Sequence, residues 1–536
     1  MRTKRDALGI KCKLRLAICC TILTGYTFLI LWCQMFLYWN DFTPLLAIPV
    51  AIFSGFFAWA MMRKLQTVTI GKEDLSDGTR QKNVFLVWFV FPLFCSLTIL
   101  LFCFAAYYPG VFSPDSFNQL QQAESSQYSD WHPVLHTLLF FTLPLKLFGT
   151  PAAIVPAQLV SFSLAEAYVI FTMRKALCPK WFCCVTFCYT LFNPVTTAIL
   201  MYPWKDCAMA IFALVLIAYL IQIAASDGMW LKKPIHSILF ATNLGVCTLM
   251  RHNAILLTFP ILLFVLITYR KRILRQAALV GVCSIVIIAC VKGPVYKLLR
   301  VEKPDRRQSE ILGMCMTMLG NAVTEAPEKL DDKTKSFLYT IATSEEWESN
   351  YVCGSWNNVK FATDGGEPVE NAGVQQVLQY TWNALREAPK ETIDGFLTLS
   401  SMVWSVDTGL AWDQSIEPGE STPLEGVKGT GQAYLCTQIH VLRNWIYAGP
   451  FRYAFLFVGL FNYLLFALSA SKFGFHQEID SFLLSVPILC YNFGTMLLLS
   501  GFDFRFFYFN FVIFFPLLFL ILRRKEKNVS FNPSAN

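Results

Sequence analysis

Residues 83–116 read NVFLVWFVFPLFCSLTILLFCFAAYYPGVFSPDS. From 83 to 107 no residue carries a charge, and the run exceeds the roughly 20 helical residues that cross a hydrocarbon core about 30 Å thick. Only a helix satisfies its own backbone in lipid, so the run reads as a membrane-spanning helix. It ends abruptly. Tyr107 to Ser116 contains two prolines, a glycine and Asp115, so the chain leaves the bilayer on a sharp turn and sets a carboxylate just above it.

The rest of the chain repeats this pattern. Of its 536 residues 55% are hydrophobic and 15% charged, with a mean hydropathy of +0.47, which excludes ordinary soluble domains. Apolar runs occur at about 15 to 39, 43 to 62, 83 to 107, 151 to 172, 181 to 201, 206 to 224, 235 to 250, 252 to 269 and 273 to 291. Three more follow at about 451 to 470, 481 to 500 and 504 to 522. The expectation is an all-α polytopic membrane protein of about 12 transmembrane helices, with the first run retained as an anchor because it lacks a small-residue cleavage site.

The net charge of +8 does not point to nucleic acid, because the basic residues form short clusters between apolar runs, among them MRKALCPK, YRKRILRQ and LRRKEK. Such clusters mark cytoplasmic loops and place both termini in the cytoplasm. The 18 cysteines show no metal-site spacing, and most lie inside apolar runs. There a thiol behaves as a small hydrophobe.

One segment breaks the alternation. HPVLHTLLFFTLPLKLFG, His132 to Gly149, is apolar but short and carries Pro133 and Pro144. We expect an interfacial or re-entrant helix, a full crossing being the alternative. Residues 294–450 change character, with acids, Gly, Asn and Trp replacing apolar runs, and read as a soluble extracytoplasmic insert. Three regions are therefore expected: a membrane module over 1–293 with its first outside loop at 108–131, the insert over 294–450, and C-terminal helices with a short tail over 451–536. Trp347, Trp356, Trp404 and Trp412 of the insert are expected mainly in its core, and its Cys315, Cys353 and Cys436 allow at most one internal disulfide.

With this topology the polar residues near span ends gather on one side. Asp115 and His132 lie in the first outside loop, Lys205 and Asp206 open a span, Arg251 closes one, and Asp503 and Arg505 head the last. Charges at membrane depth cost a few kcal/mol each and need partners or a wet cavity. Cations beside a carboxylate suit a phosphate-bearing lipid substrate, the cations holding oxygens while the carboxylate activates a hydroxyl or ligates a divalent cation. Arg251 is notable because an outside arginine runs against the positive-inside bias. Local pairing is the plainer alternative for Lys205 with Asp206 and for Asp503 with Arg505. His136 reads as packing, and Glu166, inside a span, as a neutral acid bonded to a neighbouring helix.

At these residues the chain resembles the GT-C superfamily of integral-membrane glycosyltransferases, closest to a little-characterised bacterial branch. The likeness rests on the acid after a YPG turn (YYPGVFSPDS), on WHP opening the next apolar segment, on WKD before a span and on RHN after one. It covers about 83 to 292 and 450 to 522 and leaves the insert unexplained. It implies a polyprenyl-phosphate-linked sugar as donor, and direct displacement at the anomeric carbon with Asp115 as base. Lys205, Arg251 and Arg505 would hold phosphate, with His132 supporting phosphate or acceptor. The acceptor would be an envelope glycan, a glycolipid or a protein. No paired Asp-X-Asp or Glu-X-Asp stands in the first loop, which leaves a metal requirement open, and the WWD motif of oligosaccharyltransferases is missing. The competing classes are a lipid or polysaccharide transporter and a non-catalytic assembly protein.

Overall fold

The computed structural model describes residues 17–18, 21–33, 83–304, 307–405, 421–448, 458–476 and 479–523. Among them the elements are helical, and β-pairing is limited to two isolated bridges. The first two helices among the described residues are α1 (Thr21–Cys33) and α2 (Asn83–Ala106), and α3 (Pro114–Ser125) follows the YPG turn. Then come α4 (Val134–Phe148), α5 (Pro151–Lys175), α6 (Lys180–Phe192) and the short α7 (Pro194–Ile199). The membrane module closes with α8 (Lys205–Ala225), α9 (Pro234–Met250) and α10 (Ile255–Cys290).

Five described helices are long and apolar enough to cross a membrane: α2, α5, α8, the stretch beginning with α10, and the stretch Phe504–Leu522. About twelve were expected, and the difference has physical causes. The run at 181 to 201 is split where the Asn193 side chain caps a new helix at Pro194, accepting from Val195 N at 2.9 Å. Several other runs make apolar helices of only 10–17 residues. The run at 43 to 62 lies outside the described residues, as does Trp412.

The longest element is not one rod. Ile273 interrupts α10 with φ −136° and ψ 26°, and Leu262 Cδ2 lies 3.1 Å from where a Cβ on Gly281 would stand. A straight helix would hold these two residues about 28 Å apart. The halves therefore fold back as a hairpin on the basic cluster at 269–276, where Arg272 pairs with Asp227 at 2.7 Å. The two arms coincide with the apolar runs at 252 to 269 and 273 to 291.

Several junctions meet at the other end of the bundle. Val111 N, past the end of α2, donates to Met201 O at 3.0 Å. Gln158 of α5 donates to the carbonyls of Leu200 and Tyr202, just ahead of α8, at 3.0 and 2.8 Å. Asn253, after α9, donates to Thr495 at 2.8 Å. Since α5 starts here and His132 also lies here, α4 begins and ends at this same end. It packs against α3 and exposes Leu143, Leu147 and Phe148.

Gly110 sets the turn. Its φ of +128° is open to glycine, and a Cβ would stand 2.6 Å from Val155 Cγ2. Gly110→Ala is expected to lower stability by about 1–3 kcal/mol, read as earlier thermal unfolding in detergent. Unchanged unfolding would show that the turn yields.

The insert has its own core. Leu312 to Ala388 form one apolar cluster around the fully buried Trp347 and Trp356, built from α11 (Gly313–Glu325), α12 (Gly366–Glu387) and shorter helices between them. Chain beyond it returns to the main core: Leu399, Met402 and Val403 of α13 (Pro389–Trp404), then Leu424 and Cys436. Cys315, Cys353 and Cys436 are free thiols. Helix α14 (Ala433–Ala448) lies against α2, with Cys436 Sγ donating to Ala106 O. It was expected in a soluble region, but it exposes Tyr434, Val441, Leu442 and Trp445 on one side and buries Cys436 and Arg443 on the other.

Last come α15 (Val458–His476), α16 (Ile479–Met496) and α17 (Phe509–Leu522). A buried amide network ties them, with Asn492 bonded to Asn462 at 2.6 Å and to Asn510 at 2.8 Å. The insert is moored to the loop between α16 and α17. Trp356 N donates to Ser500 O at 3.2 Å, and a Cβ on Gly501 would meet Ser355 Oγ and Asn357 Nδ2 at 2.7 Å.

Candidate functional site

Ser113, extended at φ −81° and ψ 168°, caps α3, its hydroxyl accepting from Ser116 N at 3.4 Å. Pro114 then occupies the first helical position, where its missing N–H costs nothing. Asp115 follows in the first turn, and the helix dipole favours a carboxylate there. Trp204, one residue before α8, donates from Nε1 to the same Ser113 hydroxyl at 2.8 Å. The turn and the start of α8 are thus pinned together.

Arg505 closes the arrangement. Its Nη1 donates to Asp115 Oδ2 at 3.0 Å, its Nε to Asp503, and its guanidinium lies 4.9 Å from the centre of the Trp204 ring. Beside this, the Lys205 ammonium stands 3.3 Å from His132 Nδ1. Lysine can only donate, so Nδ1 is the acceptor and the ring keeps its proton on Nε2. Arg251 pairs with Asp206, both buried, and stacks 4.2 Å over the Phe506 ring.

All seven residues singled out in the sequence therefore occupy one neighbourhood at one end of the bundle. Their partners are not all those expected. Asp206 pairs with Arg251 across two helices rather than with its neighbour Lys205. Asp503 and Arg505 do pair locally, yet Arg505 also reaches Asp115. Arg251 and Arg505 already face carboxylates, whereas Lys205 meets none directly among the described residues. His136 is fully buried, its Nδ1 2.8 Å from the Gln119 amide, and Glu166 accepts from Ser96 on α2 at 2.6 Å.

No family model, curated protein or solved structure matches the chain. The site is read from its own chemistry.

Burial alone would raise the Asp115 carboxyl, but Lys205 and Arg505 outweigh it and hold it well below the usual carboxylate range. It is a stable anion, poorly basic while Arg505 stays on it. Burial, reinforced by Lys205, brings His132 down to about 3, so it is a neutral donor rather than a cation. Because the unfolded imidazole takes a proton that the folded one refuses, stability should fall as pH drops below about 6.5 and level above about 7. Asp115 acts in the same direction at still lower pH, its contribution being lost on protonation. Thermal unfolding across pH should show this slope, and His132→Gln should flatten it. Identical slopes would remove His132 as its source.

Among the described residues no group of three or more His, Cys, Asp or Glu could hold a metal ion. Each aspartate at the site is turned toward an arginine, a donor set that does not suit a divalent cation.

Sequence reasoning missed three contributors. Trp204 was visible in MYPWKD, but its bridge between Ser113 and Arg505 depends on folding. Residues 421–432 clamp the turn, Thr422 N donating to Gly110 O at 3.0 Å and Gly431 N to Tyr108 O at 2.6 Å. Arg443 of α14 is buried to 2% exposure and donates to the Tyr107 hydroxyl at 2.9 Å. No local pattern marks either.

Proposed function

We propose that the chain is a membrane-embedded glycosyltransferase that moves a sugar from a polyprenyl-phosphate carrier to an envelope glycan, glycolipid or protein. The single observation that carries this reading is Asp115, held ionised by Arg505 where the chain leaves the bundle, with Lys205 and His132 beside it. The GT-C resemblance of the same residues supports it. The basic loops gather at the opposite end, so the positive-inside bias argues for a multi-pass protein of the cell membrane whose site faces outward.

In this reading an acceptor oxygen bonds to the anomeric carbon as the bond from that carbon to the phosphate oxygen breaks. The phosphate departs with the electron pair, and the acceptor's proton passes to Asp115. A lipid phosphate entering the site would compete for Arg505. Relieved of its guanidinium, Asp115 would become more basic when a donor is present. Lys205 offers charge to the departing phosphate, and His132 a neutral hydrogen bond. Asp206 and Arg251 fix the start of α8 against the end of α9. The transporter reading has one specific support, the buried Glu166 within α5.

Mass spectrometry of envelope glycans and lipid-linked sugars, in cells with and without the gene, tests the proposal. Loss of one decoration with accumulation of one polyprenyl-phosphate sugar is the expected result. Lipid redistribution without a missing glycosidic bond would favour transport and overturn it.

A further inference from the structure

In a helix that faces water the charged side chains point outward. The insert's Asp332–Ile341 helix does this, with Asp332 and Lys333 exposed and Phe337, Leu338 and Ile341 buried. Helix α14 is turned the other way. Its one charged side chain, Arg443, points inward and is buried, donating to the Tyr107 hydroxyl at 2.9 Å and to the Thr197 hydroxyl at 3.4 Å. At 100° per residue, Tyr434, Val441 and Trp445 fall within about 40° of one another on the opposite side, with Gln438 and Leu442 next to them. All five are exposed, Tyr434 by 72% and Trp445 by 68%. No charged residue of 433–448 shares that side.

An inward cation beneath an outward apolar surface is the arrangement of a helix set in lipid, where a charge finds its partners inside the protein. The position of α14 agrees. Cys436 Sγ donates to Ala106 O at 2.9 Å, and together with the Tyr107 contact this places the helix against the end of α2, where the chain leaves the bilayer. The apolar run at about 451 to 470 begins within three residues of Ala448, the last residue of α14. At 16 residues, about 24 Å, α14 is too short to cross a hydrocarbon core of about 30 Å. Aromatic rings near the two ends of an uncharged face, with an amide between them, suit the level of the lipid headgroups.

We propose that α14 is seated in the outer leaflet, the side bearing Tyr434, Val441 and Trp445 being a bilayer-contact surface covered by lipid rather than by a second copy of the chain. The inference rests on the membrane placement of the reading above but not on sugar transfer, so it can fail while that reading stands. It gives the Asp115 turn an anchorage in lipid, because residues 421–432, which lead into α14, donate to the carbonyls of Gly110 and Tyr108.

The test is photo-crosslinking of the full-length protein in phosphatidylcholine vesicles, with p-benzoylphenylalanine in place of Val441, of Phe94 on the exposed face of α2, or of the exposed Asp332 on the insert. Intact-mass spectrometry should find a phosphatidylcholine adduct from the first two positions and none from the third. An adduct at the Phe94 position but not at the Val441 position overturns the inference and leaves the membrane reading standing. A crosslink from the Val441 position to a second copy overturns it equally. Adducts at neither remove the membrane placement and the inference with it. Should the replacement of Val441 not fold, Trp445→Phe decides. Brominated phosphatidylcholine should quench more tryptophan emission in wild type than in this variant, and equal quenching would refute the proposal.

Discussion

Asp115→Asn should abolish transfer while leaving the protein inserted and folded. The amide keeps the size of the carboxylate and still accepts from Arg505, and Asp503 holds that arginine through its side chain and through Arg505 N at 3.0 Å. The Ser113 cap and the Trp204 bridge do not involve the lost charge. In the proposed reading what disappears is the acceptor for the hydroxyl proton, a contribution typically of about 10²–10⁴ in rate. The measurement is the rate of sugar incorporation in membranes of equal protein content, using the product identified by comparing cells with and without the gene. A variant within a few-fold of wild type would remove Asp115 from the chemistry.

Asp206→Asn should act on stability instead. It strands Arg251, whose exposed fraction is 8%, without its counter-charge. Breaking one side of a buried pair costs about 3–5 kcal/mol, whereas replacing both partners by apolar groups is often close to neutral. The single variant should unfold at a markedly lower temperature in detergent, and a second change, Arg251→Met, should recover most of the loss. If Asp206→Asn unfolds as wild type does, the pair is not structural.

The sequence made the helical class and the site's location readable for one reason. Charged groups at membrane depth have few places to go, so Asp115, Lys205, Asp206, Arg251 and Arg505, far apart along the chain, could be expected to find one another. Their pairings could not be read, because the partner of Asp206 lies on another helix and its neighbour Lys205 offered an equally good local match. Span counting overshot where an Asn-Pro step divided one apolar run and others made short helices. The hairpin at Ile273 was readable from its basic cluster, since those side chains keep to water. Arg443 was not, because it contacts residues hundreds of positions away and the helix carrying it resembles its soluble neighbours.

The mooring of the insert has a mechanical consequence. Trp356 grips Ser500 three residues ahead of Asp503, and Asp503 holds the arginine that quiets Asp115. A tilt of the insert would act through that short tether on the guanidinium. In the proposed reading, weight placed on the insert by a bulky acceptor would work as a lever on Asp115, linking arrival at the insert to readiness at the carboxylate.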